Sequence, residues 1–163
     1  SEIMALKWEN IQGDKVIISN GSYFVDNKLI LSEPKNKNSK RAISIDDEII
    51  KLLEMMKVEQ QENKNKYEEF YNDENFVFTK EGGSPLGKGF ISTFYRNIRE
   101  KVSISSPVHA MRHTHATWLI EAGANIKAVQ TRLGHSDIKT TLNIYAHVTK
   151  KMEDDNLDII KKF

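Results

Sequence analysis

The stretch HAMRHTHATWLIEAGANIKAVQTRLGHSDIKTTLNIY, residues 109–145, contains the side chains that decide how this chain is interpreted. Along it lie two imidazoles, a permanent cation and a phenol, at His109, His135, Arg112 and Tyr145. A guanidinium binds an anion through its charge and through paired hydrogen bonds. If folding brings these four groups together, they surround a space of the size of one small anion. The spacing therefore predicts a shared anion site on a mainly helical segment.

Hydrophobic periodicity divides this stretch into three predicted helices. They cover residues 108–122, 126–133 and 140–148, and Gly123 and Gly134 follow the first two. Glycine is favoured just past a helix end because it adopts the left-handed conformation without a steric cost. Two sharp helix ends are expected, and the second directly precedes an imidazole.

Histidine is frequent at the start of the first of these helices. His109 and Arg112 stand three residues apart, so their side chains share a face and can bind one anion. Such a pair alone is weak evidence for a site, because helix capping and surface ion pairing often produce it. His113 and His115 suggest zinc, but no Glu stands where a zinc-protease helix needs it. Helix packing and support of neighbouring groups is the favoured role of these two histidines.

The second half of the stretch also has plain structural interpretations. His135 follows a glycine, and a histidine in that place can simply cap the C-terminus of the preceding helix. Tyr145 has Leu142 and Val148 three residues to either side, a spacing typical of a buried aromatic residue. No single residue of the stretch decides the function.

The N-terminal part of the chain differs in composition. Residues 1–8, SEIMALKW, have apolar side chains spaced for one helical face. Between residues 16 and 45, KVIIS, YFVDNKLILS and RAISI are short segments rich in β-branched and aromatic residues, with turn-forming residues between them. They predict a three-stranded antiparallel meander. The chain as a whole is expected to adopt an α+β fold, mainly helical, with a small three-stranded antiparallel sheet near its N-terminus.

The last connection of this meander carries cations without an acidic residue, namely Lys35, Lys37, Lys40 and Arg41. Such segregation of charge suits a protein with one basic face. From a hairpin tip, Lys35 and Lys37 would extend far enough to reach a partner. The alternative, a solvated turn, stays open on composition alone.

Two more amphipathic helices are predicted between the sheet and the C-terminal stretch. The first begins at residue 46 and continues to about residue 71, and a short extended piece follows at 76–79. Its expected core stripe is Ile49, Leu52, Leu53 and Met56, and the Met55–Met56 pair is assigned to core packing. The second covers residues 88–101, with Phe90, Ile91, Phe94 and Ile98 assigned to the core and Arg96 and Arg99 on the other side.

Composition limits the class of protein. The 163 residues fit one domain, 39% of them are hydrophobic, and the net charge of +1 does not by itself indicate nucleic-acid binding. The absence of cysteine excludes disulfides and thiolate metal sites. No apolar run approaches the roughly 20 residues of a spanning helix, and no signal-peptide pattern opens the chain. A cytoplasmic location, without membrane contact, is the default expectation.

The joint pattern of motifs resembles a known family. HAMRHTHAT followed by RLGHSDIKTTLNIYAHV is similar to the catalytic domain of the tyrosine recombinases, most of all to integrases of phages and conjugative transposons. The resemblance extends over nearly the whole chain. SEIMALKW resembles the segment after the family's first arginine, and EPKNKNSKRAISI resembles its lysine-bearing β-hairpin.

The resemblance implies DNA transesterification through a 3′-phosphotyrosyl intermediate, with Tyr145 as the nucleophile. Arg112 would hold a non-bridging phosphate oxygen, His135 would donate a hydrogen bond to the same phosphate, and His109 would take part in proton transfer. Lys35 would be the general acid for the leaving 5′-oxygen, with Lys37 as the second choice. No metal and no other cofactor is implied.

The same resemblance implies partners. Double-stranded DNA attachment sites would be bound with the help of Lys37, Lys40, Arg41, Arg96 and Arg99. The full-length protein would form a tetramer in its synaptic complex and could use accessory DNA-bending proteins. Residues 149–163 would be a tail that packs on its own subunit or on a neighbouring one.

The chain also departs from the family's pattern. The family has an arginine shortly before the Ser-Glu pair that stands here at Ser1 and Glu2. Residues 1–163 are therefore expected to be a catalytic domain truncated at its N-terminus, without the family's N-terminal DNA-binding domain, and impaired in cleavage. A type IB topoisomerase, a catalytically silent DNA-binding module and, more remotely, a zinc-dependent hydrolase are the alternatives.

Overall fold

The computed structural model describes residues 1–33 and 40–161, and of residues 151–156 and 158–160 it describes the backbone alone. The chain divides into two compact units, Ser1–Phe94 and Tyr95–Phe163. The predicted α+β class is confirmed, since the first unit contains a small antiparallel sheet and the second is helical.

The strands of the first unit form two separate antiparallel sheets. They are β1 (Ile11–Gln12), β2 (Lys15–Ile18), β3 (Gly21–Val25), β4 (Lys28–Ser32) and β5 (Arg41–Ser44). The three-stranded sheet has the order β1-β2-β5, and β3 and β4 form a two-stranded sheet. Asp26 and Asn27 have φ of 46° and 62°, as a two-residue hairpin turn requires. This turn closes YFVDNKLILS on itself, so the segment is a hairpin of its own and not the middle strand of a meander.

The N-terminal residues do not form the predicted helical face. They form two 3-10 turns, Ile3–Ala5 and Trp8–Asn10, and the buried side chains are Met4 and Ala5. Between the turns the backbone is extended, because Lys7 forms a β-bridge with Phe76. The predicted extended piece at 76–79 is thus confirmed, although it makes only isolated bridges.

Helix α1 (Asp47–Tyr67) begins where predicted, because the Asp46 carboxylate accepts a hydrogen bond from the Ile49 amide. Its buried face differs from the predicted stripe. Leu53 is buried, whereas the side chains of Leu52 and Met55 are 55% and 67% exposed. The inner face passes instead through Gln60, whose amide donates to the carbonyls of residues 76 and 77. The assignment of Met55 to the core was therefore wrong.

Helix α2 (Phe90–Lys101) also exposes the side chains that were assigned to the core. No residue of 90–101 is buried, and Phe90 and Phe94 are 43% and 56% exposed. The two rings stack on each other, with centroids 6.1 Å apart. The predicted helix is confirmed, but other helices supply the core of the second unit.

That core is formed by α3 (Ala110–Glu121), α4 (Ile126–Leu133) and α5 (Ile138–Ile160). Its buried residues are Ala116, Ile120, Val129, Leu133 and Val148. The predicted helix ends are confirmed, since Gly123 and Gly134 have φ of 81° and 69°. Helix α5 is longer than predicted and continues into the expected tail. In the described parts of the chain, no helix is long and apolar enough to cross a bilayer.

Candidate active site

The Arg112 side chain connects the first turn of α3 to the end of α4. Its Nε donates a hydrogen bond to Nε2 of His135 at 3.3 Å, and its Nη2 donates to the backbone carbonyl of Leu133. The last carbonyls of a helix carry partial negative charge and attract a cation. The C-terminus of α4 therefore holds the guanidinium in place.

The backbone at His135 is fixed by the way α4 ends. Gly134 is in the left-handed conformation, its amide donates to the Thr131 carbonyl at 3.1 Å, and the His135 amide donates to the Gln130 carbonyl at 3.1 Å. This is the hydrogen-bond pattern of a Schellman motif. The Gln130 side chain, which is 5% exposed, then donates back to the His135 carbonyl at 3.0 Å. The backbone of His135 thus caps the C-terminus of α4. The imidazole is not needed for capping and can make other contacts.

The two ring nitrogens of His135 have different partners. Nε2 faces Nε of Arg112, and Nδ1 lies 3.0 Å from the hydroxyl oxygen of Thr141 on α5. An arginine can only donate hydrogen bonds, so Nε2 must be the acceptor. The ring in this arrangement is therefore neutral, with its proton on Nδ1 and directed at Thr141.

Tyr145 lies one helical turn beyond Thr141 on the same face of α5, about 6 Å along the axis. Its side chain is 39% exposed, whereas Thr141 and Val148 are 0% and 3% exposed. The buried-aromatic alternative is therefore wrong. Among the described residues, no hydrogen bond involves its hydroxyl. The structure thus joins Arg112 to His135 directly, and His135 to α5, the helix that carries Tyr145.

His109 lies at the same end of α3 as Arg112, directly before the helix, and is exposed. Its ring packs edge-on against His113, with centroids 5.4 Å apart. The described contacts therefore place this imidazole beside the neighbouring histidine, and its nearness to Arg112 follows from helix spacing alone.

His115 has the packing role that its position predicted. It accepts a hydrogen bond at Nε2 from Nε of Arg132 at 3.1 Å and so links α3 to α4. Burial and the nearby Arg132 charge lower the pKa of His115 below its ordinary value of 6.5. Both effects favour the neutral form of the ring. Among the side chains that the structure describes, those of residues 1–33, 40–150, 157 and 161, no group of three His, Asp or Glu is arranged to hold a metal ion.

The predicted DNA-binding cations have different surroundings. Lys35 and Lys37 lie outside the described residues, and Lys40 and Arg96 are exposed. Arg99 donates to the Ser105 carbonyl at 3.4 Å.

Arg41 is not a DNA-facing cation in this structure. Its side chain is 6% exposed and makes two hydrogen bonds, of 2.8 and 2.9 Å, to the Glu2 carboxylate. The sequence-based assignment of Arg41 to DNA binding is therefore corrected, because its charge is already matched and its side chain is covered.

Sequence reasoning missed Thr141 and Gln130. These are the two polar side chains that are buried in the described second unit. The sequence did contain an indication for Thr141, because this polar residue stands at helical spacing from the core positions Ile144 and Val148. Gln130 gave no such signal, since its role depends on the backbone of residues that follow the helix.

Chemically, the second unit combines a fixed guanidinium, an oriented imidazole and an accessible phenol. A bidentate cation beside a hydrogen-bonding ring is suited to a phosphate-sized anion. An accessible phenol is a group that can act as an oxygen nucleophile once its proton is lost.

Similarity to known proteins extends over most of the chain. A family model described as the phage integrase family matches residues 1–152. The integrase of Staphylococcus phage L54a is 36% identical over 121 residues, which cover 73% of this chain and 34% of that protein. The ICEBs1 integrase of Bacillus subtilis is 30% identical over 165 residues, which cover 96% of this chain and 43% of that protein. The chain thus spans less than half the length of these curated relatives.

Solved structures give the same result. The Tn1549 transposon integrase, in complex with circular intermediate DNA, matches with a TM-score of 0.71 and 26% identity over 96% of this chain and 55% of that one. The XerA recombinase, 20% identical, shares the fold with a TM-score of 0.67 over 95% of this chain and 52% of that one.

Proposed function

The chain belongs to the phage integrase family, and from this premise we propose that the protein containing it recombines DNA at specific sites. The observation that carries the proposal is the row of contacts from Arg112 through His135 to Thr141, with the exposed Tyr145 one turn further along α5. These groups provide the cation, the imidazole and the nucleophile for transesterification on a phosphodiester.

In the proposed reaction the Tyr145 oxygen attacks the scissile phosphorus. The bond between phosphorus and the 5′-oxygen breaks, a 3′-phosphotyrosyl bond forms, and the 5′-oxygen leaves with a proton. A 5′-hydroxyl of another strand then attacks the phosphotyrosine and returns the proton to the phenol oxygen. One ester replaces another at each step, so no nucleotide cofactor is consumed.

The nucleophile needs help in losing its proton, because tyrosine side chains in general are almost wholly protonated at neutral pH. His109 is the proposed proton-transfer group, and its exposed position before α3 leaves it accessible to substrate. Lys35, or Lys37 in its place, is the proposed general acid for the leaving oxygen, and both lie outside the described residues.

Arg112 would exchange partners when DNA binds. Its donors now face a helix carbonyl and a neutral imidazole, and an anionic phosphate oxygen is a stronger acceptor than either. The guanidinium would then stabilise the negative charge that develops on phosphorus in the transition state. The proposed donation from His135 to the phosphate requires a second proton on Nε2, because that nitrogen accepts in the unbound site.

Double-stranded attachment sites are the proposed substrate. The DNA complex of the Tn1549 transposon integrase supports this, as do the exposed cations Lys40 and Arg96. A tetrameric synaptic complex and accessory DNA-bending proteins are proposed for the full-length protein, in which residues 149–163 would pack on their own or on a neighbouring subunit.

A polypeptide limited to residues 1–163 is proposed to cleave weakly. The family's first arginine would precede Ser1, and a preorganised cation at the phosphate contributes roughly 3–4 kcal/mol to transition-state binding. Its absence would slow cleavage about 10²- to 10³-fold. Brisk cleavage by residues 1–163 alone would contradict this part of the proposal.

A recombination assay tests the proposed function. The full-length protein and its Tyr145→Phe variant would be incubated with two DNA molecules that each carry an attachment site. Recombinant product from the wild type, and none from the variant, is expected. Supercoil relaxation that does not depend on paired sites would favour the topoisomerase alternative, and unchanged recombination by the variant would favour a catalytically silent module.

A further inference from the structure

We infer that Thr141 is a positioning residue that fixes the tautomer and the orientation of His135. This inference rests on the proposed function for its consequence in catalysis, but its structural content can be measured without any reaction. It assigns a task to a buried hydroxyl that the transesterification chemistry itself does not use.

Thr141 occupies a position where an apolar residue would be expected. Thr141 is 0% exposed. It lies on the inner face of α5, which also carries Ile144 and Val148. Burying a hydroxyl without a hydrogen-bond partner costs free energy that valine, of almost the same shape, would avoid. The partner that compensates this cost is Nδ1 of His135, at 3.0 Å.

The other hydrogen-bonded threonines of these helices behave differently. Thr114, Thr131 and Thr149 each donate to the carbonyl four residues earlier in their own helix, at 2.9 to 3.1 Å. That local bond is the usual solution for a threonine inside a helix. Thr141 instead reaches the imidazole that follows α4, so its hydroxyl links two elements of the site.

The two contacts of the ring determine where its proton lies. Arg112 must donate to Nε2, so the Nδ1 proton is directed at the Thr141 oxygen. With the opposite tautomer, an N–H on Nε2 would face the N–H of the guanidinium, and two donors repel. The Thr141 oxygen, by accepting this proton, therefore stabilises the tautomer that lets Arg112 and His135 stay in contact.

The same arrangement allows His135 to change its charge without turning. Thr141 accepts from Nδ1 both in the neutral ring and in the doubly protonated ring. The gain or loss of a proton is then confined to Nε2, the nitrogen that faces Arg112. On this basis Nε2 accepts from the guanidinium in the unbound site and donates to the phosphate when DNA has replaced that contact.

Two variants of the full-length protein test the inference. Thr141→Val keeps the volume and removes the hydroxyl, whereas Thr141→Ser keeps the hydroxyl. Nitrogen NMR of ¹⁵N-histidine-labelled protein reports the tautomer, and the His135 signals are identified by their loss in His135→Asn. Cleavage is measured as the rate of covalent complex formation on nicked attachment-site DNA.

The Nδ1–H tautomer of His135 is expected in the wild type and in Thr141→Ser, and its loss is expected in Thr141→Val. Cleavage by Thr141→Val should fall on the order of 10- to 100-fold, as is usual when a group that orients a functional imidazole is removed. Thr141→Ser should recover most of the rate.

Retention of the Nδ1–H tautomer in Thr141→Val would overturn the inference. So would equal impairment of the serine and valine variants, because the hydroxyl that serine keeps would then make no difference. A tautomer that depends on Thr141 in a protein that never cleaves DNA would support the inference and contradict the proposed function. The experiment therefore distinguishes failure of the Thr141 inference from failure of the proposed function.

Discussion

Arg112 and His135 are hydrogen bonded at 3.3 Å, although they belong to different helical segments and stand 23 residues apart in the chain. The contact exists because α4 ends sharply at Gly134, which brings the Leu133 carbonyl and the His135 ring to the same guanidinium. A cation is thus preorganised beside an imidazole before any substrate is bound, which is the property that electrostatic catalysis needs.

Replacing Arg112 with lysine should abolish most of the cleavage activity of the full-length protein. Lysine keeps the charge but loses the planar fork that donates in two directions. A reduction of about 10²- to 10³-fold in the rate of covalent complex formation is expected, since such a donor is worth roughly 3–4 kcal/mol.

Arg132→Lys is the matched control for this variant. Arg132 is also half-buried and also donates from Nε to a histidine Nε2, but its partner His115 lies outside the proposed site. Its variant should cleave at nearly the wild-type rate. If both variants lost activity to the same extent, the special role of Arg112 would be refuted.

Gln130→Leu should destabilise the second unit. The buried amide donates to the His135 carbonyl and accepts from Lys127 at 2.8 Å, and its removal leaves polar groups without partners. A loss of about 1–3 kcal/mol in the free energy of unfolding is expected from urea denaturation. Gln61→Leu, which removes an exposed bond to Asn65, should cost less than about 0.5 kcal/mol. Equal losses in the two variants would count against the proposed importance of the helix end.

Acidification should destabilise the protein through His115. Because its pKa is lowered in the folded state, the unfolded chain binds a proton more readily, and stability decreases as the pH falls below the ordinary value of 6.5. His115→Gln keeps an acceptor for Arg132 but does not titrate. Urea unfolding at pH 7.5 and pH 5 should show a larger loss in the wild type than in the variant. The same pH dependence in both proteins would show that this histidine is not responsible.

Arg41 and Lys40 are adjacent, yet they should respond differently to mutation. Arg41→Met removes the ion pair with Glu2 and should cost about 1–3 kcal/mol of stability, less than for a fully buried pair because Glu2 is partly exposed. It should not change the salt dependence of DNA binding. Lys40→Gln should leave stability unchanged and lower the slope of log affinity against log salt by about 0.9. A decreased slope in the Arg41 variant would restore its assignment to DNA binding.

The sequence was most informative where structure is set locally. The ends of α3 and α4 were predicted at Gly123 and Gly134, because a left-handed residue after an apolar periodic segment is a property of a few neighbouring residues. Family resemblance singled out Arg112, His135 and Tyr145, and the structure gathers the first two directly.

What could not be predicted depends on contacts between distant residues. Periodicity identified amphipathic helices but not which face another element would cover, so Met55 and Phe94 were placed in a core that other residues fill. The pairing of Arg41 with Glu2 joins positions 39 residues apart. Thr141 was overlooked for the same reason, because its contact with His135 forms only when α4 packs against α5.

Trapping of the covalent intermediate tests the central claim most directly. The full-length protein would be incubated with nicked attachment-site DNA, the complex digested with protease, and the DNA-linked peptide identified by mass spectrometry. The account predicts a 3′-phosphoryl bond to Tyr145 and no covalent complex with Tyr145→Phe. A link to any other residue, or cleavage that persists in the Tyr145→Phe variant, would contradict it.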